Sequence, residues 1–360
     1  MEVVKSHQKE LTMAIVILQL PNVKRKTETR PKKCPYCPGE TFQRWGRVRK
    51  AVRDSRFQSV GVYRYRCCRC QRTFRHYPEG VDRADQTERL RKLAAICWVL
   101  GLSLRGVSMV LSAFRITLSH TTVWRDMNEA TQKLSRQRQW KPVRVLGLDG
   151  LYPLGWGKKQ AVLVAVDMGN GQPVAIGYVD ESNPQAVRRF LEPIVKSLDV
   201  GVIVTDDLAS FRLVAEKLDV EHQVCQFHVR RWVAKALRQL RETVPKEWLW
   251  VLDEIKNLIE ELPPEGSRRL FELWKQIPER STLPSGSLSP LGQLRNLLIR
   301  LSEHWPSYRV FTWQKDVPWT NNITEQAIGR MKMRSRTVRG YKSWPGMHQG
   351  LMLAGSGLDF

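Results

Sequence analysis

"GVIVTDDLASFRLVAEKL" (201–218) is the stretch on which the fold turns. Its first residues form a continuous apolar run that stops at Asp206 and Asp207. An apolar run without alternation predicts a strand buried on both faces, as in a parallel sheet covered by helices. Residues 208–218 then carry apolar side chains at helical spacing, so the strand passes directly into a helix. Upstream, "NPQAVRRFLEPIVKSL" (183–198) predicts a helix capped by Asn183 with Pro184 at its first position. "VRVLGLDG" (143–150) predicts a short apolar strand carrying Asp149. "KQAVLVAVDMGNGQPVAIGYVD" (159–180) predicts two strands joined by a Gly-Asn-Gly turn. Downstream, "EHQVCQFHV" (221–229) predicts a last short strand.

Three antiparallel strands followed by alternating helix and strand predict an α/β sheet of ribonuclease H-like type within residues 143–360. A run rich in helix signals and poor in strand signals, about 230–315, predicts a helical insertion interrupted by the loop "STLPSGSLSP" (281–290). "TNNITEQAIGRMKMRSRTVRGYKS" (320–343) then predicts a final helix with six Lys/Arg and a single acid, Glu325.

Asp149 inside an apolar strand is costly unless paired, hydrogen-bonded or bound to metal. Asp206 falls at the C-terminal mouth of a buried strand, where α/β sheets place their chemistry, although Asp207 is an equal candidate by sequence. Together with Glu325 these acids form an oxygen-donor set suited to Mg²⁺ or Mn²⁺, and two such ions support phosphoryl transfer. Basic residues after the glutamate, Lys332, Arg334, Arg336, Arg339 and Lys342, would hold a phosphate backbone. Each acid also has a plain structural reading. Asn322 and Glu325 fit a capping box, Asp206 or Asp207 fits a helix cap, and Asp149 fits a turn before Gly150.

The front of the chain is different. Residues 1–142 carry 30 Lys/Arg against 11 Asp/Glu, and residues 143–360 carry 29 against 24. A basic front joined to a near-neutral back predicts a polyanion-binding region attached to a second task. After an N-terminal extension (1–30), "CPYC" and "CCRC" provide two C-x2-C pairs, Cys34 with Cys37 and Cys67 with Cys70. Four thiolates at that spacing predict a zinc ribbon over 31–80, with Cys68 beside Cys67 as an alternative ligand. Residues 85–140 predict three short helices, the first ended by Gly101 and the third capped by Ser119. This is a helix-turn-helix that would offer Thr121, Thr122 and Arg125 to a major groove. The longest apolar run, "LTMAIVILQL" (11–20), is too short to span a membrane. It has no signal-peptide cleavage pattern after it, and the clustered cysteines fit a reducing cytoplasm. No phosphate-binding G-x-x-x-x-G-K-[ST] loop is present.

The order "CPYC…CRC", "LGLDG", "VIVTDD", "CQFH" and "TNNITEQAIGRMKMRSRTVRGYKS" resembles insertion-sequence transposases of the Asp-Asp-Glu class, especially the Mutator-like branch. The resemblance runs over nearly the whole chain. It implies a catalytic triad of Asp149, Asp206 and Glu325 and a C-x2-H feature at Cys225 and His228, with His228 near DNA and Cys225 structural. It implies a DNA transposase that binds terminal inverted repeats, then cleaves and transfers strands into target DNA. Double-stranded DNA, a homo-oligomer of at least a dimer, and a cytoplasmic, nucleoid-associated setting in a bacterium or archaeon follow from it. Asp207 stands where that family often has Gly, and the chain stops at "LMLAGSGLDF", which would fit a truncated element. A nuclease or resolvase of the same fold, and a DNA-binding regulator without catalysis, remain alternative expectations.

Overall fold

The computed structural model describes residues 19–138, 142–153, 161–278, 288–337 and 340–357. Arg339, most of the 281–290 loop and the front of the 11–20 run lie outside the described residues. Two compact units are present. One gathers the described residues up to Cys97 with Leu104–Asp126, the other Trp98–Ser103 with those from Met127 onward.

In the first unit, β1 (Phe42–Ala51), β2 (Ser59–Cys67) and β3 (Thr73–His76) form an antiparallel sheet in that order. Cross-strand partners share a face. Val48 opposite Val62 lies on the inner face, where Val23, Val52, Val60, Val62 and Val81 form a small core. Arg47 opposite Tyr63 and Arg49 opposite Gly61 lie on the outer face. β1 was not expected from sequence, because its run "FQRWGRVRKA" offers few apolar positions and its register shifts between Arg44 and Gly46. The Sγ atoms of Cys34, Cys37, Cys67 and Cys70 all lie within 4.8 Å of one another. Cys68 is exposed and outside this cluster.

Three helices follow, α1 (Glu88–Val99), α2 (Leu104–Ala113) and α3 (His120–Arg138). The Ser119 hydroxyl accepts the Thr122 N–H at 3.1 Å, the N-cap expected from sequence. Thr121 and Arg125 are exposed on the first turns of α3. Asp54, in the loop after β1, has a fully buried side chain and accepts Arg89 at 2.6 Å and the Thr87 hydroxyl at 2.6 Å. One buried carboxylate thus ties the sheet to the start of α1.

The second unit is built on a five-stranded sheet of order β6-β5-β4-β7-β8. Its members are β4 (Val145–Leu151), β5 (Val162–Asp167), β6 (Gln172–Tyr178), β7 (Val202–Thr205) and β8 (Glu221–Val224). β4, β5 and β6 are antiparallel neighbours, while β4, β7 and β8 run parallel. The Asp167 side chain accepts the Gly169 N–H at 2.8 Å, and Gly171 takes φ +68°, closing the expected Gly-Asn-Gly turn. α4 (Pro184–Leu198) and α5 (Ala209–Lys217) pack on one face through Val187, Leu191, Phe211 and Val214. The Asn183 side chain accepts the amides of Gln185 and Ala186, as expected of a cap.

β8 ends at Val224, five residues short of the end of the expected strand (221–229), and α6 (Gln226–Arg241) begins at once. His228 therefore sits in a first helical turn and not on a strand. α7 (Leu249–Glu261), α8 (Gly266–Gln276) and α9 (Pro290–His304) complete a helical region whose core centres on Leu252, Ile255, Leu270, Leu298, Trp305 and Tyr308. α10 (Asn322–Thr337) returns to the sheet, and a further helix not foreseen from sequence, α11 (Trp344–Gly355), packs beside it. Ala327, Ile328 and Met331 of α10 and Met347, Leu351 and Met352 of α11 cover the second sheet face. The result is a three-layer α/β/α arrangement. No helix of the described residues is long and apolar enough to cross a membrane.

Removing one partner of a buried ion pair strands the other charge. Asp54→Ala is expected to destabilise the first unit by about 3 kcal/mol, read as a fall in its unfolding midpoint in denaturant. A change under about 0.5 kcal/mol, the range of ordinary surface substitutions, would mean that Asp54 does not hold the sheet to α1.

Candidate active site

Two strands bring the acids together. β4 and β7 run in parallel with Gly147 abreast of Val204, and the same register carried two residues further sets Asp149 beside Asp206. Side chains two apart on a strand share a face. Asp149 therefore points as Gly147 does, toward α10.

Gly147 is where α10 meets the sheet. A Cβ there would lie 1.9 Å from the Thr324 hydroxyl and 2.9 Å from the Asn321 side-chain oxygen. Only a residue without a side chain lets the helix come so close. Asn321 then locks it: its side-chain N–H donates to the Leu148 carbonyl at 2.8 Å and its backbone N–H to the Cys225 thiol at 3.3 Å. The Cys225 N–H donates to the Thr205 carbonyl at 2.7 Å, and the Gln226 N–H to the Trp319 carbonyl at 2.9 Å. β4, the end of β7, the start of α6 and the start of α10 are thus pinned around one point. Glu325 lies at that point, with one carboxylate oxygen within 4.8 Å of both Cys225 Sγ and a His228 ring nitrogen.

The capping-box reading of Glu325 is not what the helix adopts. α10 starts at Asn322 itself, which puts Glu325 at the fourth helical position, one beyond the place a capping box requires. Its side chain is exposed. Asp206 and Asp207, indistinguishable by sequence, have opposite surroundings. Asp207 is nearly fully buried and spent on structure, accepting Arg212 at 2.8 Å, Arg300 at 2.6 Å and the Tyr308 hydroxyl at 3.4 Å. Asp206 has a buried Oδ1 with no hydrogen-bond partner among the described residues.

The electrostatics follow from this crowding. Burial, then the charges of Asp149 and Glu181, push the Asp206 carboxyl up to about 6, while His228 opposes them. Burial and the nearby Glu325 and Glu181 raise Asp149 as well, against the Gly150 N–H that donates to its Oδ1 at 2.7 Å. Burial would push the Cys225 thiol up, but His228 and the Asn321 N–H hold it below the usual range. Cys225, Asp206 and Glu325 in turn raise His228. Mutually repelling acids in one recess, with an imidazole at the rim whose charged form they favour, are a functional-site signature.

Glu181 went unnoticed in the sequence. It lies in the turn between β6 and α4, accepts the Tyr152 hydroxyl at 2.9 Å, and faces Asp149 and Asp206. A Cβ on Gly150 would come within 2.4 Å of its carboxylate, so the "DG" pair after an apolar strand was the one signal available. Among the basic residues expected to meet phosphate, Lys332, Arg336 and Lys342 are exposed. Arg334 is not a surface residue. It is 4% exposed, lies 4.2 Å above the Trp98 ring and donates to the Leu102 carbonyl. It follows Met331 by three positions, on the buried stripe of α10.

Residues 158–349 match the profile described as Transposase IS66 family. The match includes Asp206, His228 and Glu325 and begins after Asp149. An insertion element ISM1 uncharacterized 48.3 kDa protein of Methanobrevibacter smithii is 23% identical over 213 residues, 57% of this chain and 53% of that protein. The chain spans about half the length of this curated relative. Among solved structures, the catalytic core domain of BIV integrase aligns with 45% of this chain and 97% of its own at 14% identity, with a TM-score of 0.20, too loose a superposition to weigh.

Because Asp206 is raised to about 6, between about pH 4 and pH 6 the folded protein keeps a proton that the unfolded chain gives up. Without added divalent cation, stability is therefore expected to fall as pH rises through that window, by on the order of 2 kcal/mol. Asp206→Asn should flatten this slope in denaturant titrations at stepped pH. Equal slopes in both proteins would remove Asp206 as the strained acid.

Proposed function

The chain belongs to the IS66 transposase family, and we propose that it is a DNA transposase whose Asp149, Asp206 and Glu325 form the reaction centre of a ribonuclease H-like core. The single observation that carries this reading is the meeting of the three acids at one end of the sheet, with the Asp206 Oδ1 buried and unpartnered. Hard oxygen donors, charged only at a cost, fit Mg²⁺ or Mn²⁺. The chemistry such ions supply when bound is activation of the attacking hydroxyl and stabilisation of the leaving oxygen. Asp149 and Asp206 hold the donors on rigid strands, and the Asn321 lock holds Glu325 opposite them. Asp207 supports the helical region and takes no part in ligation.

His228, beside Asp206 and Glu325, is placed to donate a hydrogen bond to a phosphate oxygen at the rim. Lys332, Arg336 and Lys342 hold the backbone leading to the site, with Arg339 on the same basic run. In the front unit, α2 and α3 act as the helix-turn-helix. Thr121, Thr122 and Arg125 there reach the base edges of the terminal inverted repeats. The motif order shared with the Mutator-like branch, assembly as at least a dimer on two element ends, action on target DNA, and a cytoplasmic, nucleoid-associated setting belong to the same proposal.

The cysteine cluster fits zinc on its own geometry. Its Sγ–Sγ separations are 3.8 Å for Cys34–Cys70 and 3.7 Å for Cys37–Cys67, and the edge of a tetrahedron with metal–sulfur bonds near 2.3 Å is about 3.8 Å. The backbone amides of Cys70 and Arg69 donate to the Cys67 sulfur and, against burial, bring its thiol down to about 7. Zinc here would staple a sheet whose core is five valines.

Purified protein is expected to nick DNA at the element's own end and join the freed 3′ hydroxyl to target DNA when Mg²⁺ or Mn²⁺ is added. Glu325→Gln should lose both steps by more than the ~100-fold that losing an outer-shell partner costs. Nicks without joined products would reassign the protein to the nucleases or resolvases. Sequence-specific binding with no metal-dependent cleavage would make it a regulator. Elemental analysis is expected to find one zinc per chain, lost in Cys67→Ser and kept in Cys68→Ser; the reverse pattern would transfer the ligand role to Cys68.

A further inference from the structure

The outer face of the β1–β2 ladder forms an open concavity of about 790 Å³ lined by Arg25, Lys26, Arg47, Arg49 and Arg56, with Phe57 on its wall and Gly61 on its floor. All five cations are exposed, and no carboxylate lines the concavity. None of the five forms an ion pair with a described acid, although Lys24 next to Arg25 finds Glu28 and Glu79. Like charges gathered without acids repel one another and weaken the fold that carries them. Such an arrangement is relieved by a polyanion.

The cations are held by other means. Arg25 stacks 5.4 Å from the Phe57 ring, Arg47 lies 5.8 Å from the Tyr63 ring, and Arg49 donates its Nε–H to the Ser59 hydroxyl at 2.8 Å. Ring stacking fixes a guanidinium while leaving its in-plane N–H groups free for oxygen acceptors. Gly61 has a further role. A Cβ there would sit 2.8 Å from a terminal nitrogen of Arg47, so the bare backbone lets that side chain lie across the sheet. The Gly61 N–H also donates to the Arg25 carbonyl at 2.9 Å, which places Arg25 and Lys26 alongside β2, beside the concavity.

We infer that this face of the ribbon sheet grips the phosphodiester backbone of duplex DNA, as a contact separate from the α3 residues that read bases. Four of the five cations are arginines, whose planar fork suits phosphate oxygens. Several cations along one ladder match a ligand carrying a charge about every 1.7 Å of its length. The inference rests on the transposase reading for its choice of DNA over other polyanions. It adds to that reading a sequence-independent clamp in the front unit.

The test uses the full chain with its metal retained and no Mg²⁺ or Mn²⁺ added. Binding to a duplex of arbitrary sequence and to one carrying the element end is followed by fluorescence anisotropy over a range of salt. Each lost phosphate contact should flatten the slope of log affinity against log salt by about 0.9. The triple variant Arg25→Gln, Arg47→Gln, Arg49→Gln is expected to flatten it by about 2–3 on both duplexes and to keep the preference between them. In the unaltered protein, duplex DNA should also protect Lys26 from acetylation, a readout that survives any misfolding of the variant. An unchanged slope, or unprotected Lys26 under saturating DNA, overturns the clamp and leaves the transposase reading standing. A variant that keeps its DNA slope but loses binding to single-stranded RNA or to anionic vesicles reassigns the face to that ligand. Failure of the unaltered protein to bind either duplex would sink the transposase reading itself.

Discussion

The approach of α10 to β4 at Gly147 is the constraint on which the rest of the second unit depends. A methyl group at that position would overlap the Thr324 hydroxyl. With glycine there, the Asn321 side chain reaches the Leu148 carbonyl and its backbone reaches Cys225. One residue so placed fixes the start of a helix against a central strand and against the first turn of α6. Glu325, one turn into α10, inherits its position from that lock. The apolar stripe of the same helix, Ala327, Ile328 and Met331, then closes the sheet face behind it.

The acids at the site work against stability, and their neighbours divide the roles. Asp206 and Asp207 are adjacent in sequence and point into different surroundings. Two arginines neutralise Asp207 and the Tyr308 hydroxyl donates to it, which makes it a joint between β7 and α9. Among the described residues Asp206 has no such ion pair, and burial, then Asp149 and Glu181, raise it against the opposing charge of His228. A buried carboxylate oxygen without a partner is unfavourable in itself, and its persistence beside two further acids is the physical ground for the proposal that Asp206 serves the reaction centre. Glu181 belongs to the same recess through Gly150, a second glycine whose missing side chain allows a carboxylate in.

Arginine is used in two ways in this chain. Arg334 is buried over Trp98 and satisfies a carbonyl, so its stem and ring contact matter more than its charge. On the front sheet, Arg25 and Arg47 also lie against rings, but they are exposed and line a concavity that holds no carboxylate of the described residues. The stacking is the same and the consequence differs, because solvent exposure decides whether the N–H groups remain available to a ligand.

Sequence alone determined the parts with strong local signals. The unbroken apolar run before Asp206, the Asn183–Pro184 cap, the Gly-Asn-Gly turn and the Ser119 cap each depend on residues close together in the chain, and each is realised as expected. β1 was illegible because its exposed face is arginine-rich and its register shifts mid-strand, so alternation fails. α11 was illegible because an apolar run at the end of a chain reads equally as tail. The candidate triad was named from sequence, but the choice between Asp206 and Asp207 and between Cys67 and Cys68 was not available there. What the fold adds is contact at a distance: Asp207 meets arginines 5 and 93 residues away, and the Cys67 thiol meets Cys37, 30 residues away. Glu181 and Arg334 went the same way: a carboxylate joins a site, and an arginine leaves a surface, according to what the fold packs against them. Local preference is written in neighbouring residues, whereas burial and charge pairing are properties of segments that meet only after folding.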